Sequence, residues 1–168
     1  MPNPETKTNI YQLLSFTLGK ESYAIDVMKI QGVERFTYIT SIPKMPPFVE
    51  GVIDLRSKIV PVIDLRKRFN LPPKDPDKET RIIVTEIDKK QTGLIVDSVL
   101  EVFQTNQSEI EAIPTIDVQT IDTNFLIGLT RIKDKLVIII DIEKILTPEE
   151  KGVLSHVSDN NLDILSRE

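Results

Sequence analysis

The chain has no cysteine, no tryptophan, one histidine and only 5% aromatic residues among its 168. Without cysteine there is no disulfide, no thiolate metal ligand and no cysteine nucleophile, which suits a reducing compartment and makes the cytoplasm the expected location. His156 has no second histidine or cysteine to share a metal with, so no metal site is expected. So few aromatic rings supply poor platforms for stacking nucleic-acid bases. Long apolar runs are also missing. The longest aliphatic stretch is Leu136–Ile140, far short of the roughly 20 residues of a membrane span, and the start, MPNPETKTN, is polar. Neither export nor membrane insertion is expected. Nor is there an excess of positive charge: 21 basic against 26 acidic residues give a net charge of −5, which argues against a protein that neutralises phosphates. No glycine-rich phosphate loop, nucleophile elbow or Ser-His-Asp set can be assembled, so no catalytic residue and no cofactor are expected.

A content of 40% hydrophobic and 28% charged residues suffices for one compact domain or two small lobes. Short runs of Ile, Val, Leu and Thr recur between Gly, Pro, Asp and Lys, the pattern of many short strands rather than of long amphipathic helices. Residues 13–18, LLSFTL, place Leu14, Phe16 and Leu18 on one face of a strand. Further strands are expected at 23–25, 51–55, 58–63, 81–87, 93–96, 126–132 and 135–140. Proline clusters at PKMPP (43–47) and LPPKDPDKE (71–79), and the second, highly charged, reads as an exposed connection between halves.

The tetrapeptide Ile-Asp-Leu-Arg occurs twice, at 53–56 and 63–66, within a longer internal repeat. GVIDLRSKIVPVIDLRKRF (51–69) aligns without a gap on GLTRIKDKLVIIIDIEKIL (128–146), matching Gly51 with Gly128, Val60 with Val137, Ile63 with Ile140 and Asp64 with Asp141. Upstream, YAIDVMKIQGV superposes on GLIVDSVLEV, with Asp26 on Asp97 and Val33 near Val102. The chain therefore reads as two copies of one β unit. Each copy is expected to run strand, tight turn, strand, a helical turn opened by aspartate, a glycine-led hairpin and a short helix. Such units hide their sheet edges by curling into closed or nearly closed barrels, so two SH3-like barrels are expected, with approximate lobes 11–70 and 80–146.

Asp64 and Asp141 each end an apolar strand before a helix-compatible segment, where an aspartate caps the helix and its loss costs about 1 kcal/mol. Arg56 and Ser57 lie where the hairpin between 51–55 and 58–63 reverses, and an arginine there is either a solubilising residue or an anchor for a partner's carboxylates and carbonyls. If Ser57 takes a positive φ it carries strain of roughly 1 kcal/mol; otherwise the turn has changed type. LRKRF with Arg56 and Lys58 forms a basic cluster, but Asp54 and Asp64 interleave with it, so a solvated face is expected. A nucleic-acid-binding barrel using hairpin 56–68 is the alternative reading. NQS at 106–108, followed by Glu109, resembles a short capping box. Thr147, Pro148 and Glu150 announce a C-terminal helix running towards Val157, broken by SDNN at 158–161.

In order along residues 11–150, FTLGKESYAIDVMKIQGV, IPKMPPFVEGVIDLRSKIVPVIDLRKRF, TGLIVDSVLEV and FLIGLTRIKDKLVIIIDIEKIL resemble the CheW-type coupling proteins of bacterial chemotaxis. The resemblance implies a mainly β chain, residues 1–168 as one CheW-like unit of two interlocked five-stranded SH3-like barrels with short helices and a C-terminal helix. It also implies a cytoplasmic, non-catalytic adaptor between the tips of membrane chemoreceptors and the regulatory domain of the histidine kinase CheA. Carried over by position, the partner-binding surface falls on Ile30 and Val33, expected in the helical turn after Asp26, on Gly51 and Val52, and on Arg56. Such a surface would seat a receptor helix in an aliphatic furrow with an arginine on its rim. Periodicity alone does not distinguish a furrow from a core for Ile30 and Val33. The chain departs from the family pattern at Asp54, usually asparagine, at Ser57, usually glycine, and at Gly32, usually glutamate.

Overall fold

The computed structural model describes residues 10–114 and 124–155. Ten strands carry the fold: β1 (Ile10–Leu18), β2 (Glu21–Asp26), β3 (Ile30–Arg35), β4 (Val49–Leu55), β5 (Lys58–Asp64), β6 (Arg81–Ile87), β7 (Lys90–Val96), β8 (Ser98–Asn106), β9 (Leu126–Ile132) and β10 (Lys135–Ile140). A one-turn helix, α1 (Leu65–Arg68), follows β5, 3-10 turns cover Val27–Lys29, Gln107–Glu109 and Ile142–Lys144, and α2 (148–155) ends the described chain. The residues expected to end α2, His156 and Val157, and the expected break at 158–161 lie outside the described residues.

Two five-stranded sheets result, ordered β8-β1-β2-β10-β9 and β3-β6-β7-β5-β4. Replacing each strand of the first by the one five places away gives the second, so the internal repeat is a structural one. The sheets do not follow the spans 11–70 and 80–146. β1 and β2 pair with the last three strands, whereas β6 and β7 complete the sheet begun by β3, β4 and β5. The two units are interlocked by strand exchange. Each sheet is open in its ladder but nearly closed by one bridge: Thr40 to Val52 in the second, Glu111 to Leu129 in the first, each through two backbone hydrogen bonds of 2.7–2.9 Å. We refer to them as the first and second barrels.

Parallel pairing locks the equivalence: Ala24 lies opposite Ile139 as Gly93 lies opposite Val62. Val33, opposite Ile83, likewise corresponds to Val102, opposite Leu14, as the sequence pattern suggested. Asp26, however, corresponds to Ile95 and not to Asp97, because β7 passes directly into β8 while a 3-10 turn intervenes between β2 and β3. That turn is only Val27–Lys29. Ile30 and Val33, expected in it, stand on β3, where partly buried and exposed residues alternate as on a sheet edge.

Strands near the centre are buried on both faces. Leu14, Phe16 and Leu18 face a core shared by the two barrels with Ile63, Ile83 and Leu94, whereas Leu13 points the other way into the first barrel with Ala24, Val137 and Ile139. Ile53, Val60, Val62 and Ile82 fill the second barrel. The few aromatic residues are concentrated in the shared core, where Phe16, Tyr23, Phe69 and Phe125 form a chain of ring contacts 4.9–5.9 Å apart. Phe16 and Tyr23 are buried and Phe69 and Phe125 half-buried, and full burial of a side chain of this size contributes about 1.5–3 kcal/mol by leaving water.

Aspartates open the helical turns as expected. Asp64 Oδ1 accepts the Arg66 N–H at 2.9 Å and Asp141 Oδ1 the Glu143 N–H at 3.0 Å, while Asp26 Oδ1 does the same for Met28 at 2.9 Å. Thr147 and Glu150 form a reciprocal capping box, each backbone N–H donating to the other's side chain. At Gln107–Glu109 the turn is present, but the Asn106 side chain makes no capping bond.

Candidate functional site

Hairpin β4–β5 turns through only two residues, Arg56 (φ 52°) and Ser57 (φ 68°). Two consecutive positive φ values are the signature of the type I′ turn, whose twist matches that of the flanking strands and which glycine and asparagine adopt at least cost. The glycine-free turn therefore stores the strain anticipated for Ser57, and it aims the Arg56 side chain into solvent. On the neighbouring edge, β3 carries a bulge between Ile30 and Gly32, where the β6 register slips by one. Between bulge and hairpin lies a depression of about 330 Å³ lined by Gly32, Val33, Glu34, Leu55, Arg56 and Lys58. Val33 is 42% exposed, unusual for a valine, and Gln31, Val84 and Gln91 complete the lining.

The five residues singled out in the sequence divide into two groups. Val33 and Arg56 are exposed and line the furrow together. Ile30 is half-buried against the shared core, and Gly51 and Val52 are buried and absent from the furrow lining. Gly51 has a structural reason to be glycine: at φ 147°, a Cβ would stand 2.0 Å from the Thr40 carbonyl oxygen at the barrel-closing bridge. Its repeat partner Gly128 meets Glu111 in the same way, with a Cβ 2.8 Å from that residue's carbonyl oxygen. Sequence reading missed the polar rim. Gln91 Nε2 donates to Gln31 Oε1 at 2.8 Å and Gln31 Nε2 to Glu86 Oε2 at 3.2 Å, a chain assembled from three strands that no local pattern announces.

Of the basic cluster, Arg56, Lys58 and Lys67 are exposed as a solvated face requires, whereas Arg66 and Arg68 are drawn into contacts within the chain. Arg66 forks onto Asp97 at 2.7 and 2.5 Å and donates to the Pro72 carbonyl; Lys67 pairs with Glu50; Arg68 donates to the Ile145 carbonyl, approaches Glu150 and lies 5.5 Å from the Phe48 ring centre. Burial alone would raise the Asp97 carboxyl, but the Arg66 guanidinium and the Gly19 N–H together hold it below its usual value. Hydrogen bonding to Asp97 correspondingly raises Arg66, and hydrogen bonding to Glu50 raises Lys67. Asp64 is shifted the other way, upward, by burial. Among the described residues no group of His, Cys, Asp and Glu is arranged to hold a metal ion, and no helix is long and apolar enough to cross a membrane. Chemically, the furrow offers apolar contact, a guanidinium fork and amide hydrogen bonds, the means of gripping a polypeptide.

Comparison with known proteins places this geometry. A chemotaxis protein CheW from Klebsiella aerogenes is 35% identical over 150 residues, covering 89% of this chain and 90% of the relative. The chemotaxis protein CheW of Bacillus subtilis is 38% identical over 146 residues, 86% of this chain and 92% of its own length. A solved structure, the scaffolding protein TtCheW from Thermoanaerobacter tengcongensis, superposes with a TM-score of 0.75 at 40% identity, covering 83% of this chain and 94% of that one. Residues 12–150 match the model of the CheW-like domain, and the chain belongs to the CheW-like domain family.

Proposed function

We propose that this chain is a non-catalytic scaffold of bacterial chemotaxis that couples the cytoplasmic tips of chemoreceptors to the regulatory domain of the histidine kinase CheA. It works in the cytoplasm and reaches the membrane receptor array through protein contacts alone. The observation that carries this reading is the furrow between β3 and the β4–β5 turn, which pairs exposed Val33 with the Arg56 fork on a chain matched over residues 12–150. Relatives named as chemotaxis proteins, and a solved neighbour titled a scaffolding protein, support it.

In this reading Val33 and Arg56 touch the receptor directly, with an aliphatic ridge of the partner helix on Val33 and its carboxylates or carbonyls on the guanidinium. Ile30 supports β3 from the core side, and Gly51 and Val52 set the height of the hairpin behind it. The coupling is free energy passed between two bound partners, so no bond is made or broken by this chain. Phosphate recognition by hairpin 56–68 is disfavoured because Arg66, Lys67 and Arg68 already have partners within the chain. Retention on heparin at about 0.15 M salt would contradict the proposal, since an acidic scaffold should flow through.

Arg56→Asp in a reconstituted mixture of receptor, kinase and this chain is the decisive test. The substitution should leave the melting temperature nearly unchanged, since Arg56 makes no buried contact, and abolish receptor-dependent kinase stimulation. Full stimulation by a folded Arg56→Asp variant would overturn the reading.

A further inference from the structure

The gap between the two edge strands is filled differently in the two barrels. In the first, the β8 bulge lies between Val99, opposite Phe16, and Val102, opposite Leu14; in the second, the β3 bulge follows Ile30, opposite Thr85, and precedes Val33, opposite Ile83. Leu100 and Glu101 therefore stand in the places of Gln31 and Gly32, as Lys133 stands in the place of Arg56. Across the first gap Glu101 reaches Lys133 at 3.9 Å, and Leu100, 54% exposed, has no hydrogen-bonding side chain. Across the second, Gly32 leaves Arg56 without the equivalent carboxylate.

The second gap carries instead the relay from Gln91 through Gln31 to Glu86, joining β7, β3 and β6. In the first barrel the residues corresponding to Glu86 and Gln91 are Thr17 and Ser22, whose side chains are too short for such a relay, and Thr17 is already bonded to Ser98 at 2.6 Å. The repeat thus folds without the relay, and burial does not demand it, since Gln31 and Glu86 are exposed. Its chemistry is directional. A carboxylate accepts and does not donate, so Glu86 takes a proton of Gln31 Nε2 and leaves Gln31 Oε1 to receive Gln91 Nε2. Gln91 then keeps an Oε1 to which no described residue donates. Without Glu86 the order can run backwards, Gln31 Nε2 donating to Gln91 Oε1, and that acceptor is consumed.

We infer that Glu86 is a positioning residue for recognition in this furrow: it fixes the direction of the Gln31–Gln91 relay, so that the furrow presents an acceptor at Gln91 together with the donors of Arg56. The matching partner surface offers an N–H or O–H group to Gln91 as well as an acceptor to the guanidinium. A surface carrying acceptors alone is rejected, because it strips water from Gln91 Oε1 without replacing its hydrogen bond. The inference rests on the reading of the furrow as the receptor-binding site and adds the polarity of the receptor's contact.

Co-sedimentation of the full chain with receptor-containing membranes measures the affinity, and the side-chain amide resonances of Gln31 and Gln91 in the free chain report the relay itself. Glu86→Ala should shift both sets of resonances, leave the melting temperature nearly unchanged and weaken receptor binding about threefold. Glu86→Lys puts a donor at the head of the relay and reverses it, and should weaken binding at least about tenfold. Because Glu86 acts through Gln91, neither substitution should weaken binding further in a Gln91→Ala background. Gln31→Leu, which installs the side chain found at the equivalent position of the first barrel, should match Glu86→Ala. The inference is overturned if Glu86→Ala leaves the Gln91 resonances in place, or if Glu86→Lys still weakens binding after Gln91→Ala, which would mark a direct effect of charge. It is also overturned, with the receptor reading left standing, if Glu86→Lys binds receptor as the native chain does while Arg56→Asp does not bind. Receptor binding retained by Arg56→Asp overturns that reading and the inference with it.

Discussion

Each barrel comes near closure at a bridge that has a glycine beside it, yet the two glycines tolerate change differently. At Gly51 a Cβ would meet rigid backbone, the Thr40 carbonyl oxygen at 2.0 Å and its carbon at 2.7 Å, and φ is +147°. At Gly128 the first obstacle is the Ile110 Cγ2 at 2.6 Å, a side-chain atom that can turn aside, with the Glu111 oxygen behind it at 2.8 Å. The same residue at the same place in a repeat is thus held by a backbone clash in one copy and partly by a movable methyl in the other. Gly51→Ala should cost roughly 4 kcal/mol, combining overpacking with an unfavourable backbone angle, and Gly128→Ala about half as much. Urea unfolding of the two variants measures the difference; equal losses would mean that the closures are equally rigid.

The next contrast lies where the chain crosses between barrels. From β2 it crosses through a 3-10 turn capped by Asp26, whereas from β7 it crosses at Asp97, whose carboxylate binds Arg66 and the Gly19 N–H and whose own N–H donates to the Thr17 carbonyl. The pair is well buried, with side chains 13% and 12% exposed. Asp97→Ala leaves the guanidinium without its carboxylate, with only the Pro72 carbonyl to receive it, and should cost about 3 kcal/mol, more than Asp26→Ala at about 1 kcal/mol. Because the folded state holds the Asp97 carboxyl below its ordinary 3.8, the contribution is complete above that value and is lost as pH falls through the lower folded value. Asp97→Asn should therefore flatten the fall of melting temperature as the pH drops below the ordinary carboxylate value. An unchanged acid limb would show that Asp97 is not the group responsible.

Much of this architecture was legible in advance, for definite reasons. β6, β9 and β10 have the very limits expected, because each is an Ile-, Val- and Leu-rich run bounded by polar or turn residues, even though β9 lies at a sheet edge. β3 and β8 were not expected. They are edge strands with one exposed side, and IQGVER carries too few apolar residues for periodicity to register. The hairpin tip and the capping aspartates could be read because turns and caps are local chemistry. Strand exchange could not be read from strand positions, since each strand looks the same whichever copy it pairs with. For the candidate site, Val33 and Arg56 meet across the furrow, but nothing local distinguished them from Gly51 and Val52, whose role depends on Thr40 crossing at a distance. The bulge that exposes Gln31 is likewise a property of pairing with β6.

Smaller effects separate the two capping aspartates. Both accept a backbone N–H, so alanine at either should cost about 1 kcal/mol. Asparagine should divide them. Burial raises the Asp64 carboxyl, so its ionised form carries a penalty that is present at neutral pH and relieved as pH falls through the raised value. Asp64→Asn keeps a capping oxygen without the charge and should be neutral or slightly stabilising at pH 7 in a denaturant titration, and a loss as large as that of alanine would show that the charge itself supports α1.

The smallest contrast is between the hairpin tips. Arg56–Ser57 and Lys133–Asp134 occupy the same positions in the repeat and all four residues take positive φ, between 49° and 68°. A type I′ turn built without glycine holds strain of about 1 kcal/mol at a serine, and less at an aspartate, whose side chain tolerates the left-handed region. Ser57→Gly should therefore raise stability by about 0.5 kcal/mol after the added entropy of the unfolded chain is counted, and Asp134→Gly by less. If the Arg56 furrow needs a rigid rim, Ser57→Gly would also weaken receptor-dependent kinase stimulation while it strengthens the fold, since the same strained turn that costs stability holds the guanidinium in one direction. A variant gaining both stability and stimulation would show that the direction of Arg56 is set elsewhere.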